Sequence, residues 1–101
     1  MEKDWKHFSR QAPIWRERFL TARNAELAKQ LVDAARTPTE CFWDVEEQIR
    51  KNARTLRDCL DGHSRSRMIE YLLRMLAQNM ITADDLGGFS PELQERLKIG
   101  L

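Results

Sequence analysis

The sequence is short of the residues that interrupt a chain. Four glycines and three prolines occur in 101 residues, and all seven stand where a helix could begin or end. So little punctuation argues against an all-β domain, whose strands need turn residues at close intervals. Long apolar runs are also missing. None approaches the length of a membrane span or a signal core, and the opening Met-Glu-Lys-Asp-Trp-Lys-His is charged, so the expectation is a cytoplasmic protein without membrane contact.

Charge of one sign is lacking too. Seventeen basic and sixteen acidic groups leave a formal +1, which removes any global field toward nucleic acid, lipid or an acidic partner. The distribution is uneven by segment: +3 over 1–36, −2 over 37–62, +2 over 63–79 and −2 over 80–101. Such alternation suits neighbouring helices that attract one another.

Cysteine is scarce. Cys41 and Cys59 fall in one expected helix, where 18 residues at ~1.5 Å each set them about 27 Å apart. A disulfide needs Cα atoms within about 7 Å, so both read as free thiols. Cys41 lies in the first turns of that helix, but Glu40 and Asp44 oppose activation of its thiol.

What is present is helical patterning. Hydrophobic residues make up 42% and charged residues 33%, a composition for one globular domain over 1–101. Pro13 suits a first helical position, and Leu20, Leu27 and Leu31, with Ala28, Val32 and Ala35, form a stripe that predicts a long helix to about Arg36. A short helix over Asp4–Arg10 precedes it. Thr37-Pro38-Thr39-Glu40 is a capping box with proline in the first turn. It opens a second helix with Phe42, Val45, Ile49, Ala53, Leu56 and Leu60 on its expected core face, closed by Asp61-Gly62.

Ser64 or Ser66 starts a third helix rich in Met68, Ile69, Leu72, Leu73, Met75 and Leu76, ending at Asn79. A short turn over 82–88 and a last helix opened by Ser90-Pro91 complete the chain. The predicted fold is all-α: a small helical bundle of three main helices with short N- and C-terminal helices.

Chemistry is hard to find in this pattern. His7 and His63 have no nucleophile or carboxylate set around them, and no cofactor motif occurs, so the chain is read as non-enzymatic. The spacing of His7, Cys41, Cys59 and His63 does not match a zinc site, and Asp84-Asp85 lacks the alternating acids of a calcium loop. No cofactor or metal is expected. Residues 76–82 faintly resemble a helix-turn-helix, but Asp84 and Asp85 would face the phosphates.

Two surfaces remain. On the second helix Trp43, Glu47, Arg50, Arg54 and Arg57 recur at spacings of four and three, away from the expected core face. Trp and Arg are the residues most enriched at interface hot spots, so these five are the candidate partner-binding residues of a protein–protein interaction module, an adaptor, inhibitor or regulatory subunit. The alternative is a nucleic-acid binder with Trp43 as a stacking platform and Arg50, Lys51, Arg54, Arg57, Arg65 and Arg67 as a basic patch, weakened by Asp58 and Asp61. The second surface is Trp15 with Phe19, which need cover either from Trp5, Phe8 or Phe89 of the same chain or from a homodimer contact.

Overall fold

A computed structural model describes residues 2–100, the side chains of 99 and 100 excepted. Four α-helices follow one another: α1 (Glu2–Leu31), α2 (Pro38–Leu60), α3 (Met68–Ala77) and α4 (Pro91–Gly100), with 3₁₀ turns over Arg65–Arg67 and Ala83–Gly88. All regular structure among the described residues is helical. Two of these helices are long and two short: the fold is all-helical as expected, and α1 lies against α2 as a long hairpin with a compact helical head at one end, an arrangement that does not itself display three main helices.

α1 is one helix of 30 residues, and Pro13 lies inside it. The expected break between Asp4–Arg10 and a helix starting at Pro13 does not occur. A mid-helix proline costs about 3 kcal/mol, but Asp4, Phe8, Ala12, Trp15 and Phe19 run along one buried face on both sides of it. Keeping that stripe straight buries three aromatic rings, which outweighs the lost hydrogen bond. Pro13 and Ser9 are exposed, so water can satisfy the freed carbonyl.

The other end of α1 stops at Leu31, five residues before the expected Arg36. Asp33 causes the stop. Its Oδ1 accepts the Ala35 N–H at 2.9 Å, and its carbonyl accepts from Arg36 N at 3.3 Å and Cys41 Sγ at 3.7 Å. A short polar side chain that bonds the local backbone competes with helix continuation.

α2 begins as its sequence implies. Thr37 Oγ1 accepts the Glu40 N–H at 3.2 Å and Glu40 Oε1 accepts the Thr37 N–H at 3.3 Å, with Pro38 in the first turn. It ends at Leu60, and Gly62 just beyond it takes a φ of +74°, a left-handed conformation that favours glycine. Asn79 ends the following segment in the same way at φ +58°. The Tyr71 hydroxyl donates to the Asp61 carbonyl at 2.6 Å and holds that corner against α3.

The main core gathers in the head. Phe8, Trp15, Phe19, Cys59, Leu60, Met68, Tyr71, Leu72, Met75, Met80, Ile81, Leu86, Phe89, Leu93 and Leu97 form one buried cluster, with Leu20, Leu56, Ile69, Leu73 and Leu76 partly buried against it. Two polar clamps tie the C-terminal pieces to α1. Asp4 holds Ser90 at the start of α4, and Arg18 forks onto Asp85 at 2.7 and 2.9 Å while reaching the Met80 carbonyl at 3.2 Å.

Trp15 and Phe19 are therefore core residues, 2% and 7% exposed. A homodimer contact through them is excluded by their burial in the core of the same chain, where the rings of Phe8 and Phe89 lie 6.3 and 6.4 Å from Trp15. The leucine stripe of α1 has the opposite fate. Leu20 and Leu27 are half-buried, while Leu31 and Val32 are 51% and 80% exposed.

Candidate functional site

The main core cluster contains no residue between 21 and 55, and the molecule measures 51 × 24 × 23 Å. The distal halves of α1 and α2 thus form an arm that projects from the head. Side-chain contacts hold it together: Gln48 of α2 donates to Gln30 of α1, and Arg36 in the connection between them pairs with Asp44 of α2. Cys41 and Val45 are buried within it.

Among the described residues the arm carries five of the six exposed large hydrophobic residues, Leu31, Val32, Phe42, Trp43 and Ile49. Phe42 and Ile49 were expected in the core, yet they are 56% and 52% exposed. The physical reason is length. α3 has ten residues, about 15 Å, and α2 has 23, about 35 Å, so a third helix covers only part of the second. The segment lengths between the caps already contain that mismatch; periodicity alone does not reveal it.

Trp43, Glu47, Arg50, Arg54 and Arg57 are all exposed, as their spacing implies. The structure brings four of them together: Trp43, Glu47, Arg50 and Arg54, with Glu46, line a shallow open depression of about 460 Å³. Arg57 lies outside it, in the last turn of α2, where its charge favours the negative end of the helix dipole. The Trp43 ring meets Phe42 edge to face at 4.9 Å, so the depression ends on a small aromatic platform.

Charge in this region is largely paired. Arg50 bonds Glu46 at 2.6 Å, and that contact raises its pKa further above the usual arginine range. Lys51 lies 3.5 Å from Glu47. Arg65 and Arg67 are engaged by Glu2 at 3.0 Å and Glu70 at 2.8 Å. Among the described residues only Arg54 and Arg57 of the six proposed basic-patch residues are outside ion pairs.

The two histidines are half-buried and the two cysteines buried. His63 sits between the rings of Phe8 and Tyr71, at 4.8 and 4.7 Å, with one ring nitrogen 2.7 Å from the Cys59 carbonyl. His7 stands edge-on to Phe89 at 4.7 Å. Both cysteines are buried and unpaired, and burial, helped by the charge of Asp58, pushes the Cys59 thiol up. No group of three His, Cys, Asp or Glu side chains converges to hold a metal among the described residues. No helix among them is long and apolar enough to cross a membrane.

The chain matches no protein-family model, no curated protein and no solved structure.

Proposed function

We propose that the protein is a small non-enzymatic interaction module that works in the cytoplasm as an adaptor, inhibitor or regulatory subunit and binds another protein through the arm. The observation that carries this reading is Trp43: a ring 59% exposed, braced on Phe42, at the edge of a depression lined by Arg50 and Arg54. An exposed Trp beside Arg supplies what interface hot spots use, a large rigid apolar surface and a planar multivalent donor. The depression is too shallow to enclose a small substrate, whereas it suits a projecting side chain of a partner.

Photo-crosslinking from position 47 in an extract of the source cell, with and without nuclease, tests the proposal. The expected result is a discrete nuclease-resistant protein adduct, absent when Trp43→Ala is introduced. A nuclease-sensitive adduct would replace this reading with the nucleic-acid one, and a protein adduct unaffected by Trp43→Ala would displace the site.

A further inference from the structure

We propose that the bare apolar side of the arm binds the same side of a second copy, the two arms lying antiparallel about a two-fold axis at Ile49. This goes beyond the Trp43 reading: its apolar contact is a different face of α2, and it shares with the partner site only the flanking Glu46 and Arg50. Phe42, Ile49 and Leu56 recur every seven residues, with Ala53 between them, and therefore share one face. Leu56 reaches the main core, while Ile49 and Phe42 remain uncovered. The Gln30–Gln48 contact sets Leu31 within about 3 Å of the level of Ile49 along the arm, so the exposed part of the α1 leucine stripe lies beside them.

Area favours a copy of the chain as the occupant. Leu31, Val32, Phe42 and Ile49, each more than half exposed, offer on the order of 400 Å² of apolar surface, and the half-buried Leu27 and Ala53 add to it. A stable homodimer needs about 800 Å² from each partner, about 65% of it apolar. The four exposed residues alone supply about three quarters of that apolar share, and the half-buried neighbours add to it. Because the main core cluster uses nothing from 21–55, a second arm can lie alongside without displacing it.

Charge fixes the direction. The first half of α2 carries Glu40, Asp44, Glu46 and Glu47, and the second half carries Arg50, Lys51, Arg54 and Arg57. Parallel pairing would set acid on acid and base on base. Antiparallel pairing about Ile49 lays the acidic half of each α2 along the basic half of the other. Residue 50 of one copy is then level with residue 48 of the other, about 3 Å along the axis from Glu46. The internal Glu46–Arg50 pairs, each 2.6 Å long, come together as a cluster of four alternating charges, an arrangement that steers and orients association.

The test measures the mass of the full chain by sedimentation equilibrium over a concentration series. The wild type should move from 11.9 kDa toward twice that mass as concentration rises to about 100 µM. Ile49→Glu and Ile49→Lys should each remain monomeric and helical, since Ile49 is half exposed, and an equimolar mixture of the two should recover the dimer. Under mild oxidation Ile49→Cys should cross-link, while Phe42→Cys, held about 21 Å from its own copy in the antiparallel arrangement, should stay at the wild-type baseline. Trp43→Ala should leave the dimer intact, which separates this proposal from the partner site. A wild-type chain that is monomeric throughout, or a Phe42→Cys chain that cross-links as readily as Ile49→Cys, overturns it.

Discussion

The carboxylate of Asp4 accepts two hydrogen bonds from Ser90, from its backbone N–H at 2.8 Å and from its hydroxyl at 2.7 Å. Ser90 Oγ in turn accepts the Leu93 N–H at 3.3 Å. An acid in the first turn of α1 thereby orients the residue that caps α4, across 86 positions of sequence. Asp4 is 3% exposed, so its bonds are made without competition from water. Asp4→Ala should cost about 2–3 kcal/mol, since it removes two charge-assisted bonds and strands their donors. Urea denaturation checks this, and a loss below about 0.5 kcal/mol would mean that α4 caps itself.

Arg18 and Asp85 give the head a pH dependence. The hydrogen bond from Arg18, with help from the Thr82 N–H, holds the Asp85 carboxyl below its ordinary value despite partial burial. A folded pKa below the unfolded one adds stability that is fully present above the unfolded value and is lost as pH falls through the folded value. Asp85→Asn should therefore be less stable than wild type at pH 7, by about 1 kcal/mol given the half-exposed Arg18. The difference should shrink as pH falls below about 4 and vanish only below the lowered folded value of Asp85. Denaturation curves at a series of pH values read the crossover; a constant difference would show that Asp85 acts as a cap rather than through its charge.

The two adjacent glycines of the second 3₁₀ turn should behave oppositely. A Cβ on Gly88 would lie 2.3 Å from His7 Nε2, whereas one on Gly87 would meet nothing within 4 Å. Gly88→Ala must push the His7 ring off Phe89 and should cost about 1–2 kcal/mol. Gly87→Ala should be neutral or stabilise by up to about 1 kcal/mol, through reduced freedom of the unfolded chain. Adding His7→Ala should recover most of the Gly88→Ala loss, and additive costs in that double-mutant cycle would deny the contact.

These relationships also mark which features are legible in the sequence. The boundaries written by local chemistry are clear: the Thr37–Glu40 box, Gly62, Asn79 and Ser90-Pro91 each act within a few residues and appear where expected. The continuity of α1 through Pro13 is not local, because it depends on burial of Phe8, Trp15 and Phe19 under segments 40 to 80 residues away. α1 carries two apolar stripes, and periodicity does not say which faces the head. That choice follows from where α3 and α4 pack. The exposed placement of Trp43 and the arginines was legible from spacing, while the exposure of Phe42 and Ile49 required comparing the lengths of α2 and α3.

The core assignment of α2 separates cleanly by substitution. Ile49→Ala should cost less than about 1 kcal/mol when measured below about 1 µM, where self-association contributes least. Leu72→Ala, at a fully buried position, should cost about 2–5 kcal/mol. Equal losses at the two positions would place Ile49 in a core within the single chain.

The three tryptophans report on the arm directly. Trp15 is 2% exposed, Trp5 is half-buried against Phe8 at 5.7 Å, and Trp43 is 59% exposed. An ionic quencher reaches only rings that water reaches, so most of the iodide-quenchable fluorescence of the folded protein should come from Trp43. Trp43→Phe should remove that component and leave the fluorescence change on unfolding, which reports the burial of Trp15. The stability costs should divide the same way. Trp43→Ala should fall within about 0.5 kcal/mol, because the ring rests on Phe42 in solvent rather than in a packed interior, whereas Trp15→Ala should cost about 3–5 kcal/mol by emptying the centre of the head. If Trp43→Ala destabilised the chain as strongly as Trp15→Ala, the ring would have a structural duty in the arm, and the surface open to a partner would have to be sought around Arg54 and Arg57.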